Sequence, residues 1–92
     1  MGHPKPLDVV ALLQPIIPES LQLTEECYDL SAGLAAGTVG TVVAILPRPA
    51  EPVMCLVEFS DTRGCGYAFA TVPAATLLIL HYAPVEPVVA RQ

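Results

Sequence analysis

"GLAAGTVGTVVAIL", residues 33–46, decides how the rest of the chain is read. It is an apolar run punctuated by Gly33, Gly37, Gly40, Thr38 and Thr41. A membrane span, a phosphate-binding loop and a β-strand all compete for such a stretch. A spanning helix needs about 20 apolar residues. Residues 30–47 and 64–85 approach that length, but the first is broken by glycines, Ser31 and threonines, and the second by Pro73. Both alternate at a period of two, the period of a pleated strand. No membrane association is expected. The phosphate-loop reading fails because "GLAAGTVG" lacks the terminal Lys and Ser/Thr of a P-loop and runs into β-branched residues instead of a helix. Without a helix N-terminus there is no aligned dipole for a phosphate. The strand remains.

From Gly37 the alternation places Val39, Thr41, Val43 and Ile45 on one face, and Thr38, Gly40, Val42, Ala44 and Leu46 on the other. Val, Ile and Thr are stiff at χ1 and pack well on a pleated surface. The pattern predicts that Val39 and Val43 face the core. Gly40 is expected at a bend, of the kind a small barrel needs at its corners.

The neighbouring segments share the same period. "LDVVALL" (7–13), bracketed by Pro6 and Pro15, has Leu7, Val9, Ala11 and Leu13 on one face. "PRPAEP" (47–52) is expected as a proline-bounded turn before "VMCLVEFSD" (53–61), where Val53, Cys55, Val57 and Phe59 alternate with Met54, Leu56 and Glu58. "SDTRGCG" is a turn cluster. "YAFATV" alternates Tyr67, Phe69 and Thr71, "PAAT" is a turn or a 3₁₀ step, and "LLILHY" is the last strand. Residues 14–36 form a long loop in which Pro18 and Glu19 suit the first turn of a short helix. About five strands, a long loop after the first and a 3₁₀ turn before the last predict an all-β, SH3-like barrel. The expected organisation is an N-terminal arm (1–6), the barrel domain (7–82) and a proline-interrupted tail (83–92).

Ninety-two residues fit one domain with a thin stability margin. The chain is 53% hydrophobic with a mean hydropathy of +0.58, too apolar for a small monomer with a polar exterior. A homo-oligomer and an unidentified protein partner are therefore expected. The outward sets on this reading are Val42, Ala44 and Leu46, then Met54 and Leu56, then Leu78 and Leu80. Ile16, Ile17, Leu21 and Leu23 of the long loop are the alternative cover for one outer face. The net charge of −5, with Lys5, Arg48, Arg63 and Arg91 scattered, argues against nucleic acid, whose binding draws on neutralised phosphates.

Cys27, Cys55, Cys65, His3 and His81 are the candidate metal ligands, but no cysteine pair has zinc-knuckle spacing. A Cys65–His81 pair lacks an evident orienting carboxylate and oxyanion hole. No metal, cofactor or enzymatic activity is expected, with a small metal-binding or Cys-dependent protein as one alternative. "MGHPKP" has no apolar stretch of a secretory signal, so reduced thiols in the cytoplasm are expected, with one disulfide as the alternative. Glu25, Glu26 and Asp29 read as a solvated face, and together with Tyr28 as a partner-binding acidic patch.

Laid out in order, "LDVVALL", "AGTVGTVVAIL" (36–46), "CLVEFSD" (55–61), Tyr67-Ala68 and "TVPAATLLIL" (71–80) resemble the small bacterial family of domain of unknown function 4926. The loop before Gly37 departs from that pattern, with "LQLTEECYDLS" resembling an insertion. The resemblance implies the fold and carries no catalytic residues. It is joined by a more distant similarity to KOW-type barrels, whose "G-x-x-G-x-V" turns contact RNA. That similarity makes an RNA-binding barrel the other alternative. The leading expectation is a non-enzymatic interaction module, an accessory or antitoxin-like subunit.

Overall fold

The computed structural model describes residues 3–24, 28–48 and 51–80. Six strands form one antiparallel sheet: β1 (Val9–Leu12), β2 (Gln22–Leu23), β3 (Val39–Arg48), β4 (Glu51–Ser60), β5 (Gly66–Pro73) and β6 (Leu77–Leu80). Their spatial order is β2-β5-β4-β3-β1-β6. The all-β class holds, and the five expected strands occur in the expected chain order, with a 3₁₀ turn at Ala74–Thr76 before the last. Strand β2 is an addition from the long loop. Among the described residues the sheet has β2 and β6 as its two edges, so the ladders describe an open sheet rather than a closed barrel.

Among the described residues, the short helix expected within residues 14–36 is a single 3₁₀ turn, Pro18–Ser20. Pro18 opens it, but no side chain caps it at Ile17, and Leu21 is already extended at ψ 137°. Strand pairing stops the helix from going further. Gln22 and Leu23 pair with Phe69 and Ala68, and the edge of β5 thereby satisfies backbone groups that a continued helix would have to bond internally. The proline-bounded turn is also tighter than expected. Strands β3 and β4 continue to Arg48 and Glu51, which pair, and a register shift between Leu46 and Arg48 accommodates the proline at 47.

The facing of β3 corrects the sequence reading. Val39 and Val43 are 44% and 45% exposed, while Val42 is fully buried. Val10 pairs with Gly40, so the even positions of β3 share the inner face with the buried Val10. A register shift between Val42 and Ala44 then changes the phase, and Ile45 becomes the residue packed against the core. The irregularity thus sits at Val43. Gly40 serves close approach instead: a Cβ there would lie 2.6 Å from Val57 Cγ1 and 2.9 Å from both the Glu58 carbonyl and Phe59 Cδ1.

Phe59 is the largest fully buried side chain and the centre of the core. Gly40 on one side and Ala68, its cross-strand partner on β5, make room for the ring. This explains why β5 turns Ala68, Ala70 and Val72 inward, while Tyr67 and Phe69 stay half-buried. Cys55, Val57 and Phe59 are buried together, as their alternation predicted. The long loop closes over this core through an isolated bridge between Ile16 and Leu34, with reciprocal backbone bonds of 2.8 and 2.9 Å. Gly33 lies in the left-handed region at φ 76°, and its Cβ position is occupied by the Ile16 carbonyl. Ile16 and Leu21 of the expected loop cover pack on the core, whereas Ile17 and Leu23 stay exposed. Among the described residues no helix is long and apolar enough to cross a membrane.

Candidate interaction site

The β4–β5 turn is organised by Asp61. Its N–H donates to the Cys65 carbonyl at 3.0 Å, and its carbonyl accepts from Gly64 N–H at 2.9 Å. Asp61 Oδ1 accepts the N–H groups of Arg63 and Cys65, both at 2.9 Å. Gly64, at φ 81°, supplies the left-handed residue that the turn requires. The second oxygen, Oδ2, accepts a 2.7 Å bond from the Tyr28 hydroxyl.

Tyr28 reaches this turn from the long loop, which is tied to β5 just before it. Thr24 N–H donates to the Tyr67 carbonyl at 2.9 Å, and Thr24 Oγ1 donates to the Gly66 carbonyl at 3.1 Å. The rings of Tyr28 and Tyr67 then pack with centroids 5.1 Å apart and planes tilted by 49°. Asp29 comes next, turning the chain by accepting the Ser31 N–H at 3.0 Å. Tyr28, Leu30, Ser60, Asp61, Thr62 and Tyr67 line a cleft of about 410 Å³. Two further clefts, one under Ile17 and one beside Phe69, are lined by no ionisable side chain.

Both carboxylates here are held in their charged form. The Tyr28 hydroxyl above all, with the Cys65 N–H, lowers the Asp61 carboxyl below the ordinary aspartate value. Hydrogen bonds from Ser31, side chain first, lower Asp29. Burial, reinforced by the Asp61 charge, raises Tyr67, so its phenol stays neutral. The cleft therefore combines the Tyr28 and Tyr67 rings with the charged Asp61 carboxylate.

Of the residues that the sequence singles out for partner binding, Tyr28 lies in the cleft and Asp29 adjoins it, while Glu25 and Glu26 lie outside the described residues. Asp61 and Tyr67 complete the cleft and were not anticipated. The signal for Asp61 was its place in "SDTRGCG", where an aspartate three residues before a glycine builds its own turn. Cys55 and Cys65 are free thiols. Cys55 is buried, which raises its pKa, and Cys65 is exposed. His3 is exposed, and Cys27 and His81 lie outside the described residues.

Fold and cleft together define a small antiparallel all-β domain with an aromatic–acidic recess beside one end of its sheet. The chain belongs to the family described as domain of unknown function (DUF4926), whose model matches residues 7–79. Comparison with curated proteins gives no match, and comparison with solved structures gives none either.

Proposed function

We propose that this chain is a non-enzymatic protein-interaction domain, an accessory subunit of a bacterial complex in the cytoplasm, and that its cleft receives a cationic side chain from a basic partner segment. The observation that carries this reading is the Tyr28–Tyr67 pair set against Asp61. A Lys or Arg over a tyrosine face gains about 0.5–2 kcal/mol, the larger value when water is excluded. A neighbouring carboxylate adds a direct charge partner.

Asp61 suits a fixed charge better than a general base. Its two oxygens accept three hydrogen bonds, from Tyr28, Arg63 and Cys65, and these hold the carboxyl in place and ionised. The free thiols Cys55 and Cys65 support a reducing, cytoplasmic setting. The test is an NMR titration of the ¹⁵N-labelled chain with a short Arg/Lys-rich peptide, beside a Glu-rich control. Shifts confined to residues 28–30, 60–62 and 67, weakened by salt and lost in Tyr28→Ala, would support the reading. Unmoved resonances at Tyr28 and Tyr67 would overturn it.

A further inference from the structure

Among the described residues, strand β6 has β1 as its neighbour on one side and forms a sheet edge on the other. Its hydrogen-bonding phase is set by the bonds that flank it. Leu13 N–H donates to the Thr76 carbonyl at 2.9 Å, and the same register sets Ala11 opposite Leu78 and Val9 opposite Leu80. In an antiparallel pair bonded and non-bonded positions alternate. The N–H and C=O groups of Leu78 and Leu80 therefore point to β1, and those of Leu77 and Ile79 point to the open edge. The Leu77 N–H is taken by the Ala74 carbonyl. Ile79 is left presenting a donor and an acceptor side by side.

The usual devices that blunt an edge strand are Lys, Pro, a bulge or brevity. "LLIL" has only brevity. Four residues form few ladder bonds, so a stable contact here must also use side chains, and these are present. On the outer face Leu78 is 51% and Leu13 54% exposed, with Val39 across β1 from Leu78.

We infer that β6 pairs antiparallel with β6 of a second copy about a twofold axis at Ile79, continuing the sheet across both chains. Each Ile79 N–H donates to the Ile79 carbonyl of the other copy, and Leu78 lies opposite Leu80 of the other copy. The edge is self-complementary, since one residue carries both groups that a twofold contact requires. Charge favours the same surface. A chain of net charge −5 repels its own copy over much of its exterior, but β1 and β6 contain no charged residue. The contact also leaves the Tyr28–Tyr67 cleft open, because β5 and β2 lie at the opposite side of the sheet from β6. This inference therefore stands apart from the proposed function.

The register gives a specific test. Leu78 and Leu80 of the other copy would form a non-hydrogen-bonded pair with Cα atoms about 4.5 Å apart, within the reach of a disulfide. In a Cys27→Ser, Cys65→Ser background, a mixture of Leu78→Cys and Leu80→Cys chains should cross-link on oxidation far more than either alone. Sedimentation equilibrium of the unmodified chain should give twice 9.7 kDa at micromolar concentration. Leu78→Glu should weaken the dimer about tenfold or more, the scale of one lost leucine contact, with its circular dichroism unchanged. A 9.7 kDa monomer would overturn the inference, and an Ile79 amide protected from exchange in that monomer would show the edge covered within one chain. A dimer that keeps its affinity in Leu78→Glu and forms no mixed cross-link would overturn it equally.

Discussion

The Tyr28 hydroxyl donates a 2.7 Å hydrogen bond to Oδ2 of Asp61, joining the long loop to a turn 33 residues further along. This bond is the leading cause of the lowered Asp61 pKa, so it links the cleft's geometry to pH. A carboxyl whose folded pKa is depressed binds its proton more weakly when folded than when unfolded. Its contribution to stability is therefore present above the ordinary value of 3.8 and lost as pH falls through the depressed value. Tyr28→Phe should move the Asp61 carboxyl titration, tracked by ¹³C NMR, back toward the ordinary value. It should also reduce the acid-dependent part of the unfolding free energy below pH 4. An unchanged Asp61 titration in Tyr28→Phe would place the cause elsewhere in the turn.

Three glycines separate backbone strain from steric clash. Gly37 is at φ 91° with nothing within 4 Å of its Cβ position, so Gly37→Ala should cost only the left-handed conformation, about 1–2 kcal/mol. Gly40 has no such φ but is hemmed in by Val57 and Phe59, and Gly40→Ala should cost about 1–3 kcal/mol through overpacking. Gly33 combines both, with φ 76° and the Ile16 carbonyl at the Cβ position, so Gly33→Ala should cost about 3 kcal/mol or more. Urea unfolding of the three variants should reproduce that order. A Gly33→Ala variant no worse than Gly37→Ala would mean that the Ile16–Leu34 bridge yields easily.

The two described cysteines should differ sharply in reactivity. Cys55 is fully buried with its pKa raised by that burial, and Cys65 is exposed on the β4–β5 turn. The thiolate is the reactive species. In a Cys27→Ser background, a thiol reagent should modify Cys65 at once and Cys55 only as the chain unfolds. Cys55→Ala should cost on the order of 1 kcal/mol as a small apolar loss. Rapid labelling of both thiols in the native chain would contradict this packing.

Strand positions were legible because alternation at 7–13, 37–46, 53–60 and 67–72 is local information, and so was the 3₁₀ turn just after Pro73. Facing was harder to read. A period-two pattern carries through a strand only while the register is unbroken, and one irregular residue exchanges the faces. The shift at Val43 does this in β3, where apolar residues on both faces hid the change. In β5 the inward residues are the small ones, because Phe59 on the neighbouring strand fills the space opposite Ala68. Strand β2 has two residues, too few to show any period. The cleft was half legible: Tyr28 and Asp29 stood out beside the acidic run, but Asp61 and Tyr67 join them only through pairing across the fold.

The facing of β3 makes the sharpest test of the architecture. Val42 and Val43 are adjacent and identical in chemistry, yet Val42 is fully buried and Val43 is 45% exposed. Val42 lies opposite Val57, one of the core residues around Phe59, and its N–H donates to the Asp8 carbonyl at 2.8 Å, tying β3 to the start of β1. Truncating it leaves a void in the core where β3 meets β1 and β4, so Val42→Ala should cost about 2 kcal/mol. Val43 sits at the bulge with its side chain half in water, so Val43→Ala should stay within about 0.5–1 kcal/mol. Denaturant unfolding at equal slope should check both figures, since a changed slope would report a change in the compactness of the unfolded or native state instead. A larger loss at Val43 than at Val42 would restore the inward Val39–Val43 face read from simple alternation, and would overturn the bulge and the register built on it.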